Sequence, residues 1–154
     1  MERVLSNEVC SNLINSTYDW ERVDLVGNYY QTFIENPSIE LDIETFFGKV
    51  FIKPPLVKLL KLEKGDKIPS HSFDFSNDDP EFKRYKGTNF CVQVYLNSDY
   101  EGGVLTSGKH SFLPITGYGH TINNTTKNRI TPVTEGTAYL LFCYIFGYKS
   151  ESLL

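Results

Sequence analysis

Phe90-Cys91-Val92-Gln93-Val94-Tyr95-Leu96-Asn97-Ser98-Asp99-Tyr100-Glu101-Gly102-Gly103 reads as a strand running into a turn. Phe90, Val92, Val94 and Leu96 alternate with Cys91, Gln93 and Tyr95, the period of two that sends successive side chains to opposite faces. Asn97-Ser98-Asp99 and Gly102-Gly103 then supply turn chemistry. Further along, short strands are expected around Val104 to Thr106, Gly119 to Ile122 and Arg129 to Val133. Ala138 to Phe146 is apolar on both faces, as a strand in the middle of a packed sheet must be. On the other side of the opening stretch, Leu56 to Leu62 alternates loosely and Glu63-Lys64-Gly65-Asp66 is a turn signal.

The N-terminal third has a different grammar. Ser6 is a candidate N-cap, Glu8 suits a first helical turn, and Val9, Cys10, Leu13 and Ile14 recur at helical spacing. A second helix is expected over Ser38 to Phe47, capped by Ser38 and stopped by Gly48. Trp20 to Ile34 reads as extended. Two helices followed by many short strands give a mainly β, α+β architecture: a jelly roll with helices packed on one sheet.

The 154 residues are enough for one domain, 1–154, and 40% hydrophobic content suffices for its core. A formal charge of -4 argues against nucleic acid or an anionic membrane as the main partner. The longest apolar run, Ala138 to Gly147, is far short of the roughly 20 residues of a spanning helix. Cys10, Cys91 and Cys143 form no CxxC pair and suit a reducing compartment. Charges at Glu2, Arg3 and Glu8 interrupt any signal-like apolar core, so a cytoplasmic, non-secreted protein is expected. The basic stretch Lys49, Lys53, Lys58, Lys61, Lys64 and Lys67 reads as a solvated strand face, with a surface for an acidic partner as the other reading.

Five pieces in order resemble one family. Val94 to Gly103 is similar to the "YLN-x-D-[FY]-x-GG" stretch of the prolyl 4-hydroxylase-like 2-oxoglutarate/Fe(II) oxygenases. Val4 to Cys10 resembles their opening "LS-x-E-x-C" helix, and Leu59 to Asp66 the strand before their metal motif. Phe112 to Gly117 resembles their "P-x-x-G" entry to a late strand, and Pro132 to Thr137 their "PV-x-x-G-x-R" segment. The resemblance implies a double-stranded β-helix, together with an H-x-D pair and one distant His holding Fe(II) beside 2-oxoglutarate.

This sequence departs from that pattern. His71 stands at the first metal position. Phe73 stands where the acid belongs, and Asp74, one residue late, reaches the metal side only through a β-bulge. Asn128 occupies the distant His position, and a neutral amide is a poor donor to Fe(II). Ala138 occupies the position of the basic residue that grips 2-oxoglutarate, and Leu62 that of a tyrosine several relatives carry. His120 is a possible substitute ligand, or else a histidine hydrogen-bonded inside the barrel. Lys127 and Arg129 should point outward if Asn128 points inward. His110 reads as an exposed loop residue.

The sequence therefore points to an oxygenase-like domain with an impaired metal and co-substrate site, binding a protein or peptide and needing no cofactor. The alternative is an active, divergent dioxygenase using Fe(II) and 2-oxoglutarate through His71, Asp74 and His120. A weaker alternative is a sugar- or small-molecule-binding jelly roll. No GxSxG, HExxH or P-loop supports other chemistry.

Overall fold

The computed structural model describes residues 1–72 and 80–150. In chain order the elements are β1 (Glu2–Arg3), α1 (Asn7–Asn15), β2 (Glu21–Val23), β3 (Tyr29–Ile34), α2 (Pro37–Phe47), β4 (Lys49–Phe51), β5 (Leu56–Leu62) and β6 (Ile68–His71). There follow α3 (Pro80–Lys83), β7 (Phe90–Tyr95), β8 (Glu101–Gly102), β9 (Leu105–Ser107), β10 (His110–Phe112) and β11 (Tyr118–Asn123). The chain closes with β12 (Asn128–Ile130), β13 (Val133–Glu135), β14 (Ala138–Ile145) and β15 (Tyr148–Ser150).

A seven-stranded antiparallel sheet in the order β1-β11-β7-β14-β5-β3-β2 faces a four-stranded sheet in the order β10-β9-β12-β6. β14 is the central strand, as its two apolar faces require. Leu140, Phe142 and Tyr144 point between the sheets with Leu60, Leu62, Leu105 and Ile130. Leu141, Cys143 and Ile145 point the other way, onto Cys10 and Leu13 of α1 and Ile39 and Ile43 of α2. Each fully buried side chain of this kind contributes about 1.5–3 kcal/mol. The helices thus cover one face of the large sheet, and the small sheet covers the other. This is the jelly roll with N-terminal helices that the sequence indicates.

Ser6 caps α1 as expected, its Oγ accepting from the Val9 amide at 3.1 Å. The start of α2 needs correction. Its N-cap is Asn36, whose Oδ1 accepts from the Ile39 amide, with Pro37 in the first turn. Proline suits that position because its missing N–H would be unpaired there anyway. Gly48 ends the helix at φ 79°. The single strand expected over Arg129 to Val133 is broken at Thr131-Pro132 into β12 and β13. His110 is exposed, as expected, but lies in a strand, because Gly108 at φ 59° turns β9 back into β10.

The Asn97-to-Gly103 turn is locked to β14 and β13. Asn97 Nδ2 donates to Thr137 O at 2.7 Å and its Oδ1 accepts from the Tyr139 amide at 2.8 Å. Gly102, at φ 73°, lies so close to β13 that a Cβ would collide with Pro132 O and sit 2.8 Å from the Thr134 amide. Gly108 has a similar backbone angle, but a Cβ there would meet only Thr126 Cγ2, at an ordinary contact distance of 4.0 Å. Gly102→Ala should therefore lower the unfolding free energy by about 2–4 kcal/mol and Gly108→Ala by about 1, read from urea midpoints. Equal losses would show that the close approach at Gly102 carries no weight.

Candidate functional site

Cross-strand partners share a face, so the registers define two rows of side chains between the sheets. On the large sheet Lys58 pairs with Phe142, Phe142 with Gln93, and Gln93 with His120. On the small sheet His71 pairs with Asn128, Asn128 with Ser107, and Ser107 with His110. The rows meet at two places. Ser107 Oγ approaches Gln93 Oε1 at 3.4 Å, and His71 and Lys58 line one small cavity.

Lys58 is the feature that sequence reading missed. Instead of lying on a solvated strand face it is buried, 3% exposed, because it shares the inward parity of Leu60 and Leu62. Its Nζ donates to Tyr29 Oη at 3.0 Å and Tyr85 Oη at 3.1 Å. It also lies 5.1, 5.0 and 5.5 Å from the ring centres of Tyr29, Tyr85 and Tyr144. Among the described residues no carboxylate pairs with it. Burial, the largest effect, works against its charge. The phenols of Tyr144, Tyr29 and Tyr85 outweigh it and hold the ammonium above the ordinary lysine range. The strand parity of residues 58, 60 and 62 was the available signal.

His71 lies at the end of β6. Its Nδ1 is 2.9 Å from Pro69 O. A carbonyl only accepts, so in the neutral ring Nδ1 carries the proton and Nε2 the lone pair. Burial and the Lys58 charge lower its pKa, against the hydrogen bond to Pro69. Asn128 is buried beside it, 3% exposed, and its Nδ2 donates to His71 O at 3.2 Å. Lys127 and Arg129 are exposed on either side, as the alternation requires. Phe73 and Asp74 lie outside the described residues.

Ala138 and Leu62 are cross-strand partners, both fully buried in the apolar layer between the sheets. They sit four residues along their strands from Phe142 and Lys58, about 13 Å away.

His120 belongs to a separate cluster. Its Nε2 is 2.8 Å from Gln93 Oε1, and its ring stacks on Phe112 with centres 4.1 Å apart. Its Nδ1 is buried and has no partner among the described residues. His120 and Lys58 are three strands apart, about 14 Å. The structure thus brings His71 and Asn128 together, and Ala138 and Leu62 together, while His120 is held apart by Gln93. Among the described residues no three His, Cys, Asp or Glu side chains gather as a metal-ligand set.

Solved structures share this path of the chain. A prolyl-4-hydroxylase from Pseudomonas putida matches 99% of the chain over 91% of its own, with a TM-score of 0.70 and 13% identity. The fold is that of the prolyl 4-hydroxylase-like 2-oxoglutarate/Fe(II) oxygenases. The viral collagen prolyl hydroxylase of Paramecium bursaria Chlorella virus-1, as its 2OG complex, has the same oxygenase fold. It gives a TM-score of 0.68 at 16% identity, over 94% of this chain and 93% of that one. A 2OG-Fe(II) oxygenase family oxidoreductase from Burkholderia pseudomallei gives 0.65 at 13% identity, over 94% and 79%. No protein-family model and no curated protein matches the sequence. Among the described residues no helix is long and apolar enough to cross a membrane.

The two interior histidines set a pH dependence. Burial pushes His120 down to about 4, with the N-terminal amine adding a smaller push. The unfolded chain binds this proton below about pH 6.5, and the folded chain only below about 4. The stability contributed by neutral His120, up to about 3 kcal/mol, is full above pH 6.5 and is lost as pH falls toward 4. His71 acts in the same direction. Urea midpoints measured from pH 7 to 4 should fall steeply in the wild type and less steeply in His120→Gln. Parallel curves would contradict the assignment.

Proposed function

We propose that this chain is an oxygenase-like domain with impaired catalytic chemistry that acts by holding a protein or peptide. The observation that carries the reading is the pairing of Ala138 with Leu62. The fold's basic co-substrate anchor and its tyrosine would stand at these positions. Here a methyl and an isobutyl group close on each other in a dry layer, offering no charge and no hydrogen bond to a carboxylate. Losing a charge-assisted, bidentate grip removes one of the stronger contacts available to such a ligand.

The other described residues also fit Fe(II) and 2-oxoglutarate poorly. Asn128 spends its amide on the His71 carbonyl. The ammonium of Lys58 lies in the cavity that His71 lines, so a divalent cation there meets repulsion. That cavity measures about 30 Å3, room for one or two waters and too little for a five-carbon diacid. No catalytic step is therefore derived through these groups. A ligand bound without turnover needs only the outer surfaces of the jelly roll. Because one structural neighbour is a collagen prolyl hydroxylase, a collagen-like Pro-Pro-Gly peptide is the first probe.

Purified anaerobically, the protein should show a thermal midpoint unmoved, within about 1 °C, by saturating Mn(II) plus 2-oxoglutarate, because only a ligand that binds the folded state raises it. It should also bind the peptide in calorimetry without consuming 2-oxoglutarate when Fe(II) and oxygen are supplied. A clear midpoint rise that vanishes in His71→Ala, or 2-oxoglutarate consumption, overturns the impaired-site reading. Failure of collagen-like, proline-rich and unrelated peptides alike to bind overturns the peptide-holding part.

A further inference from the structure

A cleft of about 550 Å3 opens on the helix side of the large sheet, where α1 faces the turns after β7 and before β14. Small-molecule sites span roughly 300–1,000 Å3. One face of α1 forms a wall, because Asn7, Ser11, Ile14 and Asn15 recur at helical spacing. Asp99, Thr137 and Tyr139 also line the cleft. Among the described residues no lysine, arginine or histidine lines it, and Asp99 brings the one formal charge. A phosphate or carboxylate ligand would meet repulsion there and no counter-charge.

The wall offers neutral donors and acceptors instead. Asn97 is fully engaged: its Nδ2 donates to Asp99 Oδ1 at 2.8 Å and to Thr137 O, and its Oδ1 accepts from the Tyr139 amide. It thereby orients Asp99, whose Oδ2 has no protein partner among the described residues. Arg3 donates to Asn7 Oδ1 at 3.2 Å, which leaves the Asn7 Nδ2 donor. Asn15 Nδ2 donates to Ser11 Oγ at 3.3 Å, which leaves the Asn15 Oδ1 acceptor. A sugar hydroxyl donates and accepts at once, so it matches a wall of this mixed kind. The C–H face of a sugar ring needs a flat apolar partner as well. Tyr139 supplies one, and Trp20 packs beside it with ring centres 6.3 Å apart. Tyr18 meets Trp20 edge-on at 5.5 Å, and Lys61 Nζ lies 4.8 Å from the Trp20 ring centre. The platform is therefore ordered before a ligand stacks, and little freedom is lost on binding.

We propose that this cleft binds an uncharged saccharide. Asn7, Asn15 and Asp99 take its hydroxyls, and Tyr139 with Trp20 takes its C–H face. The site shares no residue with His71, Asn128, Ala138 or Leu62, so it stands apart from the impaired-site reading above.

Trp20 is the single tryptophan of the chain, so its emission reports on this site. The full chain is titrated with cellotetraose, maltotetraose, mannotetraose and N-acetylchitotetraose. At least one should shift Trp20 emission saturably. Asp99→Ala and Asn15→Ala should each weaken that binding by about tenfold, the loss of one or two hydrogen bonds. Both side chains are exposed, so the variants test recognition rather than folding. A flat response to all four saccharides, or wild-type affinity in either variant, overturns the site. A Pro-Pro-Gly peptide that shifts Trp20 emission where no saccharide does assigns the cleft to a peptide and overturns the proposal too.

Discussion

The pairing of β14 with β5 on one side and β7 on the other constrains everything else in the molecule. A central strand buried on both faces has no freedom of register, because a one-residue slip would exchange its core face for its helix face. Once Ala138 stands opposite Leu62 and Leu141 opposite Leu59, the parity of the whole large sheet is set. Lys58, Gln93 and His120 are then committed to the interior together. The small sheet, held by β12 between β6 and β9, brings His71, Asn128 and Ser107 to face them.

The interior that results is less apolar than the surrounding core. Burying the cation of Lys58 and the amides of Asn128 and Gln93 costs free energy unless each finds partners. Lys58 finds phenols, Asn128 finds the His71 carbonyl, and Gln93 finds His120 and Ser107. Arg22 and Asp66 add a partly buried bidentate pair at 2.9 Å that fastens β2 to the turn after β5. Among the described residues these polar side chains are thus spent largely on one another.

Strand grammar made most of this architecture legible. β7 and β14 follow from alternation and from an apolar run, and α1 from its cap and spacing. The start of α2 was less legible because Asn36 and Ser38 are both acceptable caps. Only the geometry of Pro37 decides between them. The division of β12 from β13 depends on Pro132, which removes a backbone donor in mid-run. At the candidate site, the family pattern singled out His71, Asn128, Ala138 and Leu62 as expectations, and the strand registers pair them two by two. Lys58 was hidden by its neighbours in sequence: among six lysines it read as one more solvated charge. Its parity with Leu60 and Leu62 carried the contrary message. Its tyrosines come from β3, β14 and the turn after α3, which no local pattern connects.

In the proposed function His71 is a structural histidine rather than a metal ligand. Nuclear magnetic resonance of the histidine rings, with paramagnetic Mn(II) added in the presence of 2-oxoglutarate, tests this directly. With His71 in a structural role, its ring signals stay as sharp as those of His120 at one equivalent of Mn(II). Selective, saturable broadening of His71 at that ratio would contradict it.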